Sequence, residues 1–451
     1  MTVRATPLDH ARATLALGLP IIGSHLAQMA LTVTDTLLLG RYGVAELAAA
    51  TIATSAFFVV FLLGAGFGQA ILPLVAQAMG RGDEAQVRRD AQMGMWLSAI
   101  YGLITIPVFW FSGSWLSALG QTPDVARLAQ EFLRILGFGM TPALLVMALK
   151  SSLSALARPQ VVLWVTLGAV VLNAAVGSAL IFGRWGAPEM GMRGAAISTL
   201  TVQWATFVAL AVYATWNPGL RQFHLFRGFW RPDWSVLRSV FRLGWPIGVT
   251  GLAESGLFTA ASVMMGWVGT VALAAHGIAM QAAALAFMVH LGLSNAATVL
   301  TGRAIGMGDA RGLRDGAVVA VALSAGFAAV IIVVFLALPH PILVLFLDMS
   351  KPEAPEILRY GTTLLALAAL FQLGDAMQVM ALGLLRGIKD TRVPMWAAAV
   401  SYWAIGIPVS YELGFGLGWG GVGVWLGLTV GLAFAAGLMM VRFWRKAPSA
   451  R

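Results

Sequence analysis

The sequence predicts an all-α integral membrane protein: twelve transmembrane helices in two six-helix bundles related by a pseudo-twofold axis along the membrane normal. Three observations carry that expectation. Of 451 residues, 59% are apolar and only 11% charged, with a mean hydropathy of +0.83, whereas a typical soluble domain carries about a quarter charged residues. Apolar runs long enough for the roughly 20 residues of a spanning helix recur along nearly the whole chain. The chain also matches itself when displaced by 226 residues.

In order, the runs fall at 14–39, 46–78, 91–112, 125–149, 161–183, 194–216, 241–266, 271–302, 315–338, 357–384, 393–413 and 420–442. With the N-terminus inside, 22 of the 29 Lys and Arg lie in cytoplasmic segments, among them Arg4, Arg12, Lys150, Arg386 and Arg451. That asymmetry orients a membrane protein, so both termini are expected in the cytoplasm of a multi-pass protein of the cell (inner) membrane. It also accounts for the net charge of +10, and no nucleic-acid partner is needed to explain it. The first run is a full span with no small-residue cleavage site after it, so it is expected to serve as its own insertion signal. Zero cysteines exclude disulfides, thiolate metal sites and cysteine nucleophiles, and the six scattered histidines have no metal-ligand spacing. No cofactor and no resident metal are expected.

The repeat is ungapped through two helices and two loops. Leu17-Gly18-Leu19-Pro20-Ile21 falls on Leu243-Gly244-Trp245-Pro246-Ile247, and Gly80, Gly82 and Asp83 fall on Gly306, Gly308 and Asp309. Near the fourth helix the offset drifts to 232, placing Trp164 on Trp396. The expected division is therefore an N-terminal bundle over 1–216, a linker over 217–240 and a C-terminal bundle over 241–451. The linker mixes Arg221, Arg227, Arg231 and Arg238 with Phe223, Phe226, Phe229, Trp230 and Trp234, and reads as a cytoplasmic interfacial helix. Pro20 and Pro246 occupy equivalent places and read as helix starts. Six spans per half put both halves into the membrane in the same sense, leaving a cleft between them as in alternating-access transporters.

Of nineteen acids, only Asp35, Glu254 and Asp375 fall well inside spans. A charge at mid-bilayer costs about 2.5 to 3.5 kcal/mol on insertion scales, so an acid kept there is a functional candidate. Ser24, Gln28, Thr32 and Asp35 follow one helix face, as do Gln372, Asp375 and Gln378, and both faces are expected to line a wet cavity. Glu254 is the repeat-equivalent of Gln28. The alternative is that the acids only bond Ser, Thr or Asn neighbours and stitch helices together. Asn173, in the fifth helix, divides evenly between an inter-helix bond and cavity lining. His25, His276 and His290 read as packing residues.

Gly416-Leu417-Gly418-Trp419-Gly420-Gly421 formally matches GxGxxG, but no strand precedes it and no βαβ unit surrounds it. Gly64 with Gly68, and Gly423 with Gly427 and Gly431, instead have the spacing of close helix approach. The general logic of an antiporter needs no more than this inventory: a carboxylate in a low-dielectric cleft exchanges between neutral and charged forms, and cation and substrate that favour different arrangements weaken each other reciprocally. A flippase for lipid-linked precursors would want mid-membrane Lys or Arg, which the runs lack. A membrane-embedded enzyme would need a nucleophile-base or metal constellation, and neither HExxH nor GxSxG occurs.

Three segments carry a resemblance: LPIIGSHLAQMALTVTDTLLLG with Asp35, GWPIGVTGLAESGLF with Glu254, and FQLGDAMQVMALGLLRGIKDT with Asp375. They resemble the NorM-type branch of the multidrug and toxic compound extrusion family, over essentially the whole chain. The resemblance implies export of cationic or amphiphilic organic compounds in exchange for protons or sodium ions, by a protein with small-molecule organic cations and the lipid bilayer as partners, expected as a monomer. It places Glu254 and Asp375 in a cation site of the second bundle and Asp35 in the cavity of the first. Gln28, Thr32, Asn173, Phe371, Gln372 and Gln378 are the expected substrate-cavity lining. Phe371 stands where the branch often has Tyr, and Gly177 where it often has Asn, so two oxygen ligands are lost. Protons are therefore the expected coupling ion, with sodium at Glu254 and Asp375 as the alternative.

Overall fold

Twelve helices of 24 to 38 residues are long and apolar enough to cross a membrane in a computed structural model that describes residues 6–447. They are α1 Pro7–Tyr42, α2 Ala45–Arg81, α3 Glu84–Trp110, α4 Pro123–Ala155, α5 Pro159–Phe182, α6 Gly191–Trp216, α7 Trp234–Val268, α8 Thr270–Met307, α9 Ala310–Ala337, α10 Ala354–Gly387, α11 Arg392–Gly416 and α12 Gly421–Lys446. Each corresponds to one expected apolar run, with no run extending more than two residues beyond its helix. Helices are what such runs must form, because lipid offers backbone N–H and C=O groups no partner and an α-helix satisfies them within itself. Arg4 and Arg451 of the charge count lie outside the described residues.

The repeat is visible in the backbone. Gly82 and Gly308 end α2 and α8 in the left-handed region at φ 71° and 70°, which a residue without Cβ enters freely. Asp83 then caps α3 by accepting from Gln86 N at 2.9 Å, and Asp309 caps α9 by accepting from Gly312 N at 2.8 Å. Ala157 and Lys389, 232 residues apart, take φ of 59° and 60°.

Packing divides the chain differently from the sequence repeat. One compact unit is Gly23–Val249; the other joins the residues up to Ile22 to those from Thr250 onward. We call them the N unit and the C unit. The leading parts of α1 and α7 thus each belong to the unit of the other half. In the C unit, Ile22 and Leu15 join the core built on α8, α10 and α12, and Gly18 and Gly292 let α1 approach α8. In the N unit, Val236, Val240, Leu243 and Ile247 of α7 pack with Phe67 and Met93, and Gly66, Gly244 and Gly248 allow the equivalent approach to α2. Pro20 and Pro246 do not start helices. They lie inside α1 and α7, two and three residues before the unit boundary, because polar turns extend each helix on its N-terminal side.

The linker is also not a helix. After the short helix Pro218–Arg221 the chain runs through turns until Trp234. His224 and Gly228 adopt positive φ, and Pro232 has no N–H to give. The turns are held to α3: Gln92 Nε2 donates to the carbonyls of Leu225 and Arg227 at 2.9 and 3.0 Å, and Trp96 Nε1 donates to that of Phe229 at 2.7 Å.

Candidate functional site

The C unit assembles its site from three helices. Glu254 comes from α7, while Gln372, Asp375 and Gln378 come from α10, the most enclosed helix of this unit. Asp375 is 1% exposed, and both glutamines are fully buried in packed interior where a wet cavity wall was expected. The third helix, α11, departs from α geometry: Val400–Gly406 forms a π-helical stretch, a distortion frequent at functional sites. It brings the buried Ser401 and Tyr402 inward. Trp403 Nε1 donates to the carbonyl of Ala253 at 3.2 Å, fixing α11 beside Glu254.

These side chains interact electrostatically. Glu254 acts on Asp375, Arg386 acts on Glu254, and Tyr402 feels Glu254, Asp375 and Arg386. Glu254 Oε1, Asp375 Oδ1, the Tyr402 hydroxyl, the Ser401 hydroxyl and the amide atoms of Gln372 and Gln378 are buried without a hydrogen-bond partner among the described residues. An unsatisfied buried polar group costs about 1 to 3 kcal/mol, and native interiors keep few of them. This concentration of unpartnered buried polar atoms makes the cluster the candidate site of the C unit. Beside it, Phe371 is wedged between Phe258 and Trp425, with ring centroids at 6.1 and 5.8 Å. Trp425 Nε1 donates to His276 Nδ1 at 3.2 Å, so His276 is a packing residue, as expected.

The N unit holds the other expected residues. Asp35 Oδ1 accepts from Asn173 Nδ2 at 2.7 Å, tying α1 to α5, and Ser198 donates to Asn173 Oδ1 at 3.3 Å. Asn173 therefore makes the inter-helix bond. Ser24 and Thr166 sit 3.4 Å apart, whereas Gln28 and Thr32 are exposed. A side chain at Gly177 would meet Leu38 and Ser198, so the amide often found there would have joined this same network.

Three participants escaped the sequence reading. Arg386 and Lys150 were assigned to cytoplasmic segments by the pattern of positive charge, but they lie within α10 and α4, where Arg386 acts electrostatically on Glu254 and Lys150 donates to Gln28. Tyr402 sits in an ordinary apolar run. Nothing in its neighbours signals that it lies in a π-helical stretch, buried within the electrostatic reach of the two acids.

The MatE family model matches residues 20–178 and 246–412, one segment in each half. A probable multidrug resistance protein NorM of Rhizobium meliloti (strain 1021) is 48% identical over 436 residues, covering 97% of this chain and 93% of that protein. One from Agrobacterium fabrum is 45% identical, covering 96% and 94%. Among solved structures, an outward-facing multidrug resistance MATE family transporter aligns with a TM-score of 0.88 at 19% identity, over 100% of this chain and 99% of that one. The eukaryotic MATE transporter AtDTX14 aligns at 0.85 and 20%, over 99% of both chains. At such identities the structures speak for the fold, and the two NorM proteins for the family. A twelve-helix chain with a repeated acid-bearing half, matched by the family model in both halves, belongs to the MatE family, in its NorM-type branch.

Proposed function

We propose that this protein is a secondary active multidrug efflux antiporter of the inner membrane, with both termini in the cytoplasm, that exports cationic or amphiphilic organic compounds in exchange for protons by alternating access. The observation that carries the reading is the Glu254 and Asp375 pair, each with a buried and unpartnered carboxylate oxygen. Two like charges side by side in low dielectric repel strongly, and a proton removes that repulsion without asking for further ligands. Arg386 adds a fixed positive charge beside Glu254, which disfavours a second cation there more than it disfavours a neutral acid. Asp35, engaged by Asn173, is the acid of the N unit that a cationic substrate meets.

Sodium is the second reading. The hydroxyl absent at Phe371 has substitutes in Tyr402 and Ser401, and the amide oxygens of Gln372 and Gln378 are equally unpartnered. Hard cations take several such oxygen ligands. Efflux from proteoliposomes under a proton gradient and under a sodium gradient, applied separately, decides between them. The expected result is efflux driven by the proton gradient and retained in Tyr402→Phe. Robust efflux under sodium alone, abolished by Asp375→Asn, overturns proton coupling.

A further inference from the structure

Lys150 lies five residues before the end of α4. A lysine so near a helix end ordinarily extends its ammonium toward the water at the interface. Here Nζ instead donates to Gln28 Oε1 at 3.0 Å. Gln28 lies 21 residues into α1 and is the repeat-equivalent of Glu254. His25, three positions earlier, also interacts electrostatically with Lys150. Where the C unit sets Arg386 against the carboxylate of Glu254, the N unit holds an ammonium against an amide, so at this position the N unit has a cation without the carboxylate.

The arrangement leaves a charge to be met. A neutral amide accepts one of the three ammonium donors and compensates none of the charge. Among the described residues Lys150 forms no salt bridge, and Asp35, further along α1, is held by Asn173. Gln28 is exposed, so a ligand can reach the ammonium beside it.

We propose that Lys150, positioned by Gln28, is a carboxylate-binding subsite that holds the carboxylate of a transported amphiphile. The substrate part of this inference rests on the export reading; the binding part does not. A lipid phosphate presents related oxyanion chemistry from another source, and the experiment separates the two.

The probes are a fluorescent rhodamine with a free carboxylate and its ethyl ester, titrated against the purified full chain in detergent. Lys150→Gln is expected to weaken the carboxylate dye about ten-fold or more relative to the ester, the scale of a lost hydrogen bond to a charged group. Lys150→Arg should keep most of the carboxylate preference. Gln28→Glu, which supplies a competing carboxylate in place, should erase it. Equal weakening of both dyes in Lys150→Gln, or no weakening, overturns the proposal, as does displacement of the carboxylate dye by stoichiometric phosphatidylglycerol. Binding is read at equilibrium without a gradient. Failure of the wild type to export either dye would therefore count against antiport and leave the subsite standing.

Discussion

Glu254, Asp375 and Asp35 separate into two kinds of acid once their partners are known. Asp35 already has a hydrogen bond across helices, the stitching arrangement weighed as an alternative, whereas Glu254 and Asp375 each keep a buried oxygen unpartnered. Glu254→Gln and Asp375→Asn preserve shape and remove only the titratable charge. Each is expected to reduce gradient-driven export to background, with the protein still present in the membrane at wild-type amounts. Wild-type export rates in both variants would mean that the pair only holds helices together. Asp35→Asn should lower export while retaining part of it, since an amide oxygen still accepts from Asn173; transport of a cationic dye by inverted vesicles measures this.

Close helix approach rests on glycine at matched positions. A Cβ at Gly292 would collide with the backbone of Ile22 and one at Gly66 with that of Gly244 and Gly248, and the two sites are 226 residues apart. The same geometry recurs where Gly423, Gly427 and Gly431 of α12 face Leu413, Ser410 and Gly406 of α11, as their spacing led us to expect. Gly292→Leu and Gly66→Leu should each destabilise by at least the about 1 to 3 kcal/mol typical of overpacking, seen as a lower melting temperature in detergent. Gly277→Leu, with open space around it, is the control and should leave melting unchanged. Helix ends contribute as well: Asp83→Ala and Asp309→Ala each remove a cap worth about 0.5 to 2 kcal/mol. Asp233 caps α7, and the hydroxyl of Ser235, followed by the N–H of Val236, holds its carboxyl below the usual carboxylate range. A lowered folded-state value means this cap is fully in place above the ordinary carboxylate range and is lost only as pH falls through the lowered value.

At the scale of the molecule, the proposed orientation rests on the distribution of Lys and Arg, and the absence of cysteine makes it directly measurable. Single cysteines at Arg184 and Arg311 should behave oppositely. A membrane-impermeant maleimide is expected to label Arg184→Cys on intact cells and Arg311→Cys only after permeabilisation. The reverse pattern would invert the topology and with it the direction of transport. The exchange of the leading parts of α1 and α7 between units also means that cutting the chain in the linker does not release two independent bundles. Each half lacks a helix segment that its core requires.

Spans, repeat and the three acids within spans were legible in the sequence because each rests on a local cost. An unpaired backbone in lipid is forbidden, a charge at mid-membrane is expensive, and a repeat keeps its glycines wherever a second backbone must pass. For the same reason the Gly82-Asp83 and Gly308-Asp309 junctions could be matched by inspection. What only the tertiary structure decided is partnership between distant positions. Arg386 and Lys150 read as loop charges, whereas in the structure Arg386 acts electrostatically on Glu254 and Lys150 donates to Gln28. Tyr402 feels the acids electrostatically from a π-helical stretch that no residue preference announces. The unit boundary falls inside α1 and α7 because the glycines beyond each proline's N-terminal side fit the core of the opposite half. Local costs are written in one helix at a time, whereas the direction of a side chain depends on which helix packs against it.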